Sequence, residues 1–241
     1  MLCNIECKAL RTTKVSDSKN LLSAWSRSHG RITLSIPAGT SKDARRRRAL
    51  TSPLQIFEGV ADIRPDRDIY NIRDMRAGAA SLVLNPSPQK SLIAIFLSEV
   101  LDIILRRVEP DSSLSDFLFG SIEALTALDS PIATANFHII FLYRLSHFLG
   151  IEPQLDTEGE YFDLREARFR TTLPLHHHYL NPEESAVLRA ISRANYRSGA
   201  IISLDRSARN IALDKILQYF SIHLQSMAGI KSVEILRSLI D

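Results

Sequence analysis

The sequence has few of the features that mark secreted, membrane-spanning or disulfide-stapled proteins. Only two of its 241 residues are cysteines, Cys3 and Cys7, which is too few for a disulfide framework and suits a reducing compartment. The most hydrophobic run, Leu92 to Leu105, contains Glu99 and Asp102, and it is shorter than the roughly twenty apolar residues of a membrane span. No apolar segment with a small-residue cleavage site opens the chain. These absences predict a soluble, cytoplasmic protein that does not contact the membrane.

Common enzyme motifs are also missing, because no GxGxxG, GxxxxGK[ST], HExxH, GxSxG or CxxC is found. Acid pairs such as Asp163 and Glu166 are too common to indicate catalysis. The triple His176-His177-His178 lacks a set of further ligands at metal-binding spacing, so we expect an irregular, solvated segment. We therefore predict no enzymatic activity, no catalytic residues, no metal and no cofactor. An unrecognised metal-dependent nuclease remains an alternative.

Positive charge is concentrated in the first third of the chain. Residues 1–82 contain 15 Lys and Arg against 8 Asp and Glu, whereas residues 83–241 contain 15 against 19. A basic half joined to a mildly acidic half indicates a polyanionic partner for the basic half. A solvated basic face without any partner is the plainer alternative.

The first eighty residues have the pattern of short strands separated by turns. Ile32, Leu34 and Ile36 alternate with polar residues, as expected for a half-buried strand that follows a tight turn at His29-Gly30. About five such strands, with a long polar loop over residues 38–48 after the third, suit a small closed barrel. Pattern alone fits an OB fold or an SH3-like barrel.

The periodicity becomes helical beyond the linker Asn85-Pro86-Ser87-Pro88. Helices are predicted over residues 89–108, 114–128, 133–149, 204–224 and 232–240. Another helix should begin at Asn181-Pro182-Glu183-Glu184, where Asn caps and Pro occupies the first position. Residues 152–180 lack a clear period and are predicted to be an irregular insertion. We predict an α+β protein with a barrel domain at residues 1–82 and an all-α domain at residues 83–241.

Four consecutive arginines, Arg45 to Arg48, are the strongest single feature of the basic region. Guanidinium groups this close repel one another, and a bound phosphate backbone would relieve that repulsion. Arg31 and Lys42 extend the predicted phosphate-binding patch. Trp25 is the foremost candidate for stacking on a base, beside Phe57 and Tyr70, although filling a barrel core is the simpler use of all three rings.

Several stretches in a fixed order resemble the RecO family of bacterial recombination mediators, in the form that lacks a zinc ribbon. They extend over nearly the whole chain and include Lys8-Ala9-Leu10-Arg11-Thr12-Thr13, Pro37-Ala38-Gly39-Thr40-Ser41-Lys42, Asn136-Phe137-His138, Phe148-Leu149-Gly150-Ile151-Glu152-Pro153, Phe162-Asp163-Leu164-Arg165-Glu166 and Lys231-Ser232-Val233-Glu234-Ile235-Leu236. The resemblance implies an N-terminal five-stranded OB fold followed by a helical domain.

The resemblance also implies a role in recombinational DNA repair, and with it a nucleoid-associated protein of the cytoplasm. Such proteins bind single- and double-stranded DNA, anneal complementary strands and, with RecR, help RecA load on DNA coated by single-strand-binding protein; whether RecF takes part is left open. DNA contact is thereby expected at Arg31, Lys42 and Arg45 to Arg48. Docking of the acidic, apolar tail of single-strand-binding protein is expected on the helical domain, with Arg144 as the candidate cation. An adaptor that binds only proteins, through its basic loop, is the remaining alternative.

Overall fold

The computed structural model describes residues 2–64, 66–78, 87–224 and 229–239. The chain divides into two compact units, residues 1–126 and 127–241. The predicted domain limit between residues 82 and 83, and most of the predicted linker, lie outside the described residues. No helix in the described ranges has both the length and the apolar character needed to cross a membrane.

Five strands of the first unit form a closed barrel in the order β1-β2-β3-β5-β4. The strands are β1 (Leu2–Lys14), β2 (Lys19–Ser26), β3 (Gly30–Pro37), β4 (Ile56–Asp62) and β5 (Ile69–Ala77). The barrel closes because β1 pairs with both β2 and β4, while β3 runs parallel to β5 over residues 33–35. This order is that of an OB fold, which confirms the predicted fold class and decides between the two barrels that the sequence pattern allowed.

The alternation in β3 predicted the inner face of the barrel correctly. Ile32, Leu34 and Ile36 are buried in the core, together with residues such as Ile5 and Phe57 from neighbouring strands. Gly30, the first residue of β3, takes a φ of +66°, a conformation that favours glycine and that lets the chain turn from β2 into β3.

The prediction of a polar loop after β3 is wrong, because this segment contains a nine-residue helix, α1 (Lys42–Leu50). Ser41 caps this helix, since its side chain accepts a hydrogen bond from the backbone N–H of Ala44. Asp43 lies in the first turn and Arg47 and Arg48 in the last, so charges at both ends favour the helix dipole. Only Ala44 is buried, and without an apolar stripe the sequence gives no helical period.

Two further helices, α2 (Pro88–Ile104) and α3 (Ser112–Ala127), follow in the chain, as predicted. Polar contacts join them to the barrel. The indole Nε1 of Trp25 donates to Ser115 Oγ at 3.1 Å, and Ser115 Oγ donates to the carbonyl of Arg27. Arg27 also forms an ion pair with Asp116 and lies over the ring of Phe119. The barrel and these helices therefore pack as one compact unit.

The second unit is mainly helical. Its helices are α4 (Pro131–Phe148), α5 (Pro182–Arg193), α6 (Arg206–His223) and α7 (Ser232–Leu239). Gly150, with a φ of +69°, follows the end of α4 as predicted. The predicted start of α5 is also confirmed, because the Asn181 side chain accepts from the Glu184 backbone while the Glu184 side chain accepts from that of Asn181.

The predicted irregular insertion at residues 152–180 contains a small antiparallel sheet, so the second unit is not wholly α-helical. Its strands are β6 (Tyr161–Asp163), β7 (Arg168–Arg170) and β8 (Tyr179–Leu180), with β6 in the centre. Phe162 and Phe169 are buried on it with their rings edge to face. Strands of two or three residues are too short to show the alternation by which strands are predicted.

Lys8 of β1 is fully buried, and its Nζ has no hydrogen-bond partner. The ammonium group lies 4.9 Å from the ring centroid of Phe119, which compensates in part for its lost hydration. Burial lowers the pKa of Lys8 to about 7, an effect that the charge of Glu123 opposes. The folded protein therefore binds this proton more weakly than the unfolded chain does.

We predict that Lys8→Met stabilises the protein at pH 7 by about 2–4 kcal/mol, because methionine removes the penalty for burying a charge. In the wild type the unfolded state holds one more proton than the folded state between pH 7 and 10.5. The free energy of unfolding should therefore rise with pH over this range, and less steeply in the variant. Urea unfolding at several pH values measures both effects. Lys14→Met, at an exposed lysine of the same strand, is the control and should change little; a destabilised Lys8→Met with an unaltered pH slope would contradict the argument.

Candidate nucleic-acid interface

The exposed positive charge of the first unit is concentrated on α1, and we call its five cations, Lys42 and Arg45 to Arg48, the basic helix. Every one of these side chains is exposed except Arg47, which is half-buried. Arg48 donates to the carbonyl of Gly39 at 3.2 Å. With respect to the residues that the structure describes, none of the five forms an ion pair.

Helical geometry sends the four arginines in different directions. Consecutive residues of an α-helix are rotated by about 100°, so Arg45 and Arg48 share one face, while Arg46 and Arg47 point elsewhere. Arg46 and Arg47 line a cavity of about 250 Å³ beside β5. The basic helix therefore presents charge over a wide arc of surface, with two of its arginines turned toward the barrel.

Arg31 is placed differently from the sequence prediction. Its Nη2 lies 2.8 Å from Oδ1 of Asp102, a carboxylate that is 3% exposed, and Ser23 Oγ donates to the same oxygen at 2.6 Å. Burial opposes ionisation of Asp102, but hydrogen bonds from Ser23 and Arg31 and the charges of Arg31 and Arg106 together lower its pKa. The structure thus assigns Arg31 to a buried contact between the barrel and α2, rather than to the exposed basic surface.

The prediction that Trp25 stacks on a base is wrong. Trp25 is 0% exposed and its indole N–H is satisfied by Ser115, so neither ring face is open to a ligand. Phe57 is also fully buried, and Tyr70 is half-buried against the barrel core. The alternative of core packing explains all three rings.

Sequence reasoning missed two charged residues on β5, Arg73 and Asp74. Both are exposed and line the same cavity as Arg46 and Arg47. Asp74 has a φ of +52°, a left-handed conformation that is uncommon outside glycine. Nothing in the local sequence indicates this placement, since it depends on pairing between distant strands.

The second unit contains an apolar groove of about 160 Å³ between α4, α5, α6 and the small sheet. Apolar side chains such as Val187, Ile211 and Ile216 line most of it, and its charged lining residues are Lys215, Glu183 and Glu184. Lys215 is engaged, because its Nζ lies 3.3 Å from the Glu184 carboxylate and donates to the carbonyl of Tyr179. We call this feature the helical groove.

Arg144, the predicted partner-binding cation, lies on α4 next to Tyr143, which lines the helical groove. Its side chain is exposed, donates to the carbonyl of Ala194 at 2.8 Å and lies over the ring of Tyr196. Arg144 itself does not line the groove. Contact between this guanidinium and a partner's carboxylate therefore remains a prediction.

The triple histidine takes part in local contacts. His176 Nε2 lies 3.3 Å from the buried carboxylate of Asp163, and His178 Nδ1 lies 3.1 Å from Gln218 Nε2. Over the described part of the chain, no group of three or more His, Cys, Asp or Glu side chains is arranged to hold a metal ion. These contacts tie the segment before β8 to β6 and α6.

A five-stranded barrel with an exposed cationic helix, followed by a helical unit, defines an OB-fold protein of the α+β class. Comparison with known proteins narrows this class to one family. The family model described as "Recombination protein O C terminal" matches residues 86–232. The chain is also 33% identical over 235 residues to DNA repair protein RecO of Bacteroides fragilis, covering 96% of each chain.

Other relatives agree with that assignment. The chain is 33% identical over 238 residues to DNA repair protein RecO of Porphyromonas gingivalis, with 96% of each chain covered. It is 32% identical over 232 residues to the protein of the same name from Phocaeicola vulgatus, with 95% of each covered. The chain belongs to the RecO family of DNA repair proteins.

We predict that Asp102→Asn lowers the free energy of unfolding by about 3 kcal/mol, because Arg31 would be left in a largely buried site without its counter-charge. Thermal or urea unfolding measures the loss. Asp116→Asn is the matched control, since it also removes the partner of an arginine, Arg27, but that carboxylate is 73% exposed and exposed pairs contribute little. If both variants lost the same free energy of unfolding, the buried Asp102 contact would stabilise the protein no more than an exposed ion pair does.

Proposed function

We propose that the protein is a non-enzymatic mediator of recombinational DNA repair. It binds single- and double-stranded DNA through the basic helix, anneals complementary strands and, with RecR, helps RecA load on DNA coated by single-strand-binding protein. The observation that carries this proposal is the basic helix itself. Five cations lie on nine residues of one helix, exposed or half-exposed, without a described carboxylate partner.

The electrostatics of the basic helix favour a polyphosphate ligand. Neighbouring guanidinium groups repel one another, and each phosphate bound between them replaces that repulsion with charge-assisted hydrogen bonds. Binding also releases the counterions condensed on the nucleic acid, which strengthens association at low salt. Because phosphates are the same for every base, this contact is independent of sequence.

Annealing follows from the same charge. Two complementary strands are polyanions that repel each other before their bases pair. A protein surface that neutralises part of one backbone lowers this repulsion and lets a second strand approach. No bond is made or broken in this step, so the mechanism requires only binding residues.

The helical groove is our candidate for docking the tail of single-strand-binding protein. An acidic tail with apolar side chains needs an apolar surface and a nearby cation. The groove offers the apolar surface, with Ile211 left 44% exposed in it. Arg144, adjacent in sequence to Tyr143 of the groove wall, remains the candidate cation for the tail's carboxylates.

Replacing Arg45, Arg46, Arg47 and Arg48 by Ala should weaken binding of single-stranded DNA at least tenfold for every sequence, because about four phosphate contacts are lost. If the wild type contacts about five phosphates, the log–log slope of its affinity against salt should be near −3.5, and the variant's slope should be shallower by about 3. Fluorescence anisotropy over a salt series measures both quantities.

Replacing the same four residues by Lys is the matched control, because it preserves charge and should preserve most of the salt slope. A wild-type slope near zero, or an Ala variant with unchanged affinity, would refute the phosphate contact. Metal-dependent cutting of the labelled strand would instead support a nuclease. Failure to bind DNA together with tight binding of an acidic protein would support an adaptor.

For the helical groove, we predict that Ile211→Asp weakens binding of a peptide copied from the tail of single-strand-binding protein by at least tenfold, because a carboxylate replaces apolar contact area. Arg144→Ala should weaken the same peptide through loss of a counter-charge. Isothermal titration calorimetry measures the affinities. Arg168→Ala removes an exposed arginine that neither lines the groove nor adjoins a lining residue in sequence, so this variant should bind the peptide normally. Unchanged binding by Ile211→Asp would mean that the tail docks elsewhere.

A further inference from the structure

The cavity beside the basic helix is lined by charges of both signs, and we call it the α1–β5 pocket. Its volume is about 250 Å³. Three guanidinium groups and two carboxylates line it, those of Arg46, Arg47, Arg73, Asp43 and Asp74. Apolar side chains, including Leu50 and Ile72, complete the lining; Ile72 belongs to the barrel core and Leu50 packs against it.

These opposite charges line one pocket without neutralising one another. No ion pair joins any of the five charged groups to another residue in the described ranges of the chain. The Nε of Arg47 is buried and has no hydrogen-bond partner. A buried N–H without an acceptor is uncommon in folded proteins, so the Arg47 guanidinium is not fully satisfied within the protein. The charged groups that line the pocket keep hydrogen-bonding capacity that no ion pair uses.

Asp74 is held in the pocket by an unusual backbone. Its φ of +52° coincides with a break in the pairing of β4 with β5, where the register shifts between Glu58 and Val60. Such bulges redirect side chains and occur often beside functional sites. A left-handed residue other than glycine is also a mild source of strain, which persists where the surrounding structure holds it.

The mixture of charges selects the chemistry of the ligand. A phosphate would be attracted by the arginines but repelled by both carboxylates. A nucleobase instead presents donors and acceptors on one edge and an apolar ring face, which match carboxylates, guanidinium groups and an apolar wall. Guanine matches best, because its O6 and N7 accept from arginine while its N1–H and amino group can donate to a carboxylate.

We propose that the α1–β5 pocket binds one unstacked nucleobase of a single strand, with guanine the preferred base. The inference rests on the proposed function, since the basic helix must bring the strand to the pocket. Bases of a duplex are paired and stacked, so they cannot enter. Because a guanidinium has five N–H donors, Arg46 and Arg47 can each donate to the base and also to a flanking phosphate. The basic helix thus still contributes affinity for any phosphate backbone, and the pocket adds a preference for single strands.

The test compares an ordinary oligodeoxynucleotide with an abasic oligomer of equal length, which has the same phosphates but no bases. The wild type should bind the ordinary strand about tenfold more tightly, the effect of one well-held base. In Asp74→Asn this ratio should fall toward one. Asparagine tolerates the left-handed backbone, so the variant removes the charge without removing the turn.

If the protein bound only phosphates, Asp74→Asn would bind the ordinary strand more tightly rather than less tightly. The direction of the change in affinity therefore distinguishes the two explanations. If only phosphates are bound, losing a carboxylate strengthens binding of both oligomers equally. Asp17→Asn, in the exposed turn after β1, is the charge-matched control and should show this small, equal gain. A gain of the same kind in Asp74→Asn, with an unchanged ratio between the oligomers, would overturn the pocket proposal while leaving the proposed function intact.

Two further comparisons complete the test. A thymine strand with one guanine should bind more tightly than thymine alone, and equal affinities would overturn the guanine preference. Free deoxyguanosine monophosphate should compete only weakly with the strand for the protein, because it lacks the neighbouring phosphates. If it competed as strongly as an unlabelled strand, the pocket would instead bind a free nucleotide. If the wild type binds neither oligomer, the proposed function fails rather than the pocket alone.

Discussion

Unbalanced positive charge on α1 is the constraint around which the first unit is organised. Five cations on nine helical residues repel one another, and the described structure supplies no carboxylate to pair with any of them. The protein balances other charges internally, as the pairs Arg31–Asp102 and Arg76–Glu58 show. Because α1 is not balanced in this way, its charge is left to solvent ions or to a ligand, and under the proposed function a phosphate backbone supplies the counter-charge with many equivalent groups.

The rest of the first unit keeps this charge in place. Ser41 caps α1 at its start and Ala44 anchors it against the protein, so a helix with almost no apolar surface still forms. The closed barrel below it has no free edges. Contacts through Asp102 and Ser115 hold the barrel to α2 and α3. Arg31 and Trp25 make two of these contacts, so both serve as structural residues. The side chains of the basic helix are left without ion pairs among the described residues, and the proposed binding function uses them.

Much of the fold could be predicted because its signals are local. The alternation of Ile32, Leu34 and Ile36 marks a half-buried strand, and Asn181 followed by Glu184 marks a helix start. The helix α1 gave no such signal, since a run of arginines has no apolar face to reveal a period. The three strands of the small sheet were too short to alternate.

The candidate site was predicted only in part, for a different physical reason. Runs of charge are visible in sequence, so the four arginines could be recognised as a cluster, although not as part of a helix. The roles of Arg31 and Asp74 depend on tertiary contacts: the partner of Arg31 lies 71 positions away, and the backbone of Asp74 follows from the register between β4 and β5. The composition gives the number of these charges, but it does not show which of them are paired in the folded protein.

Annealing tests the central claim most directly, because it requires both strand binding and charge neutralisation. Complementary oligonucleotides coated with single-strand-binding protein are mixed with the wild type or with the variant carrying Ala at Arg45 to Arg48, and duplex formation is followed by fluorescence. The account predicts rapid pairing with the wild type and a rate near that of the protein-free mixture with the variant. Equal acceleration by both proteins would contradict it.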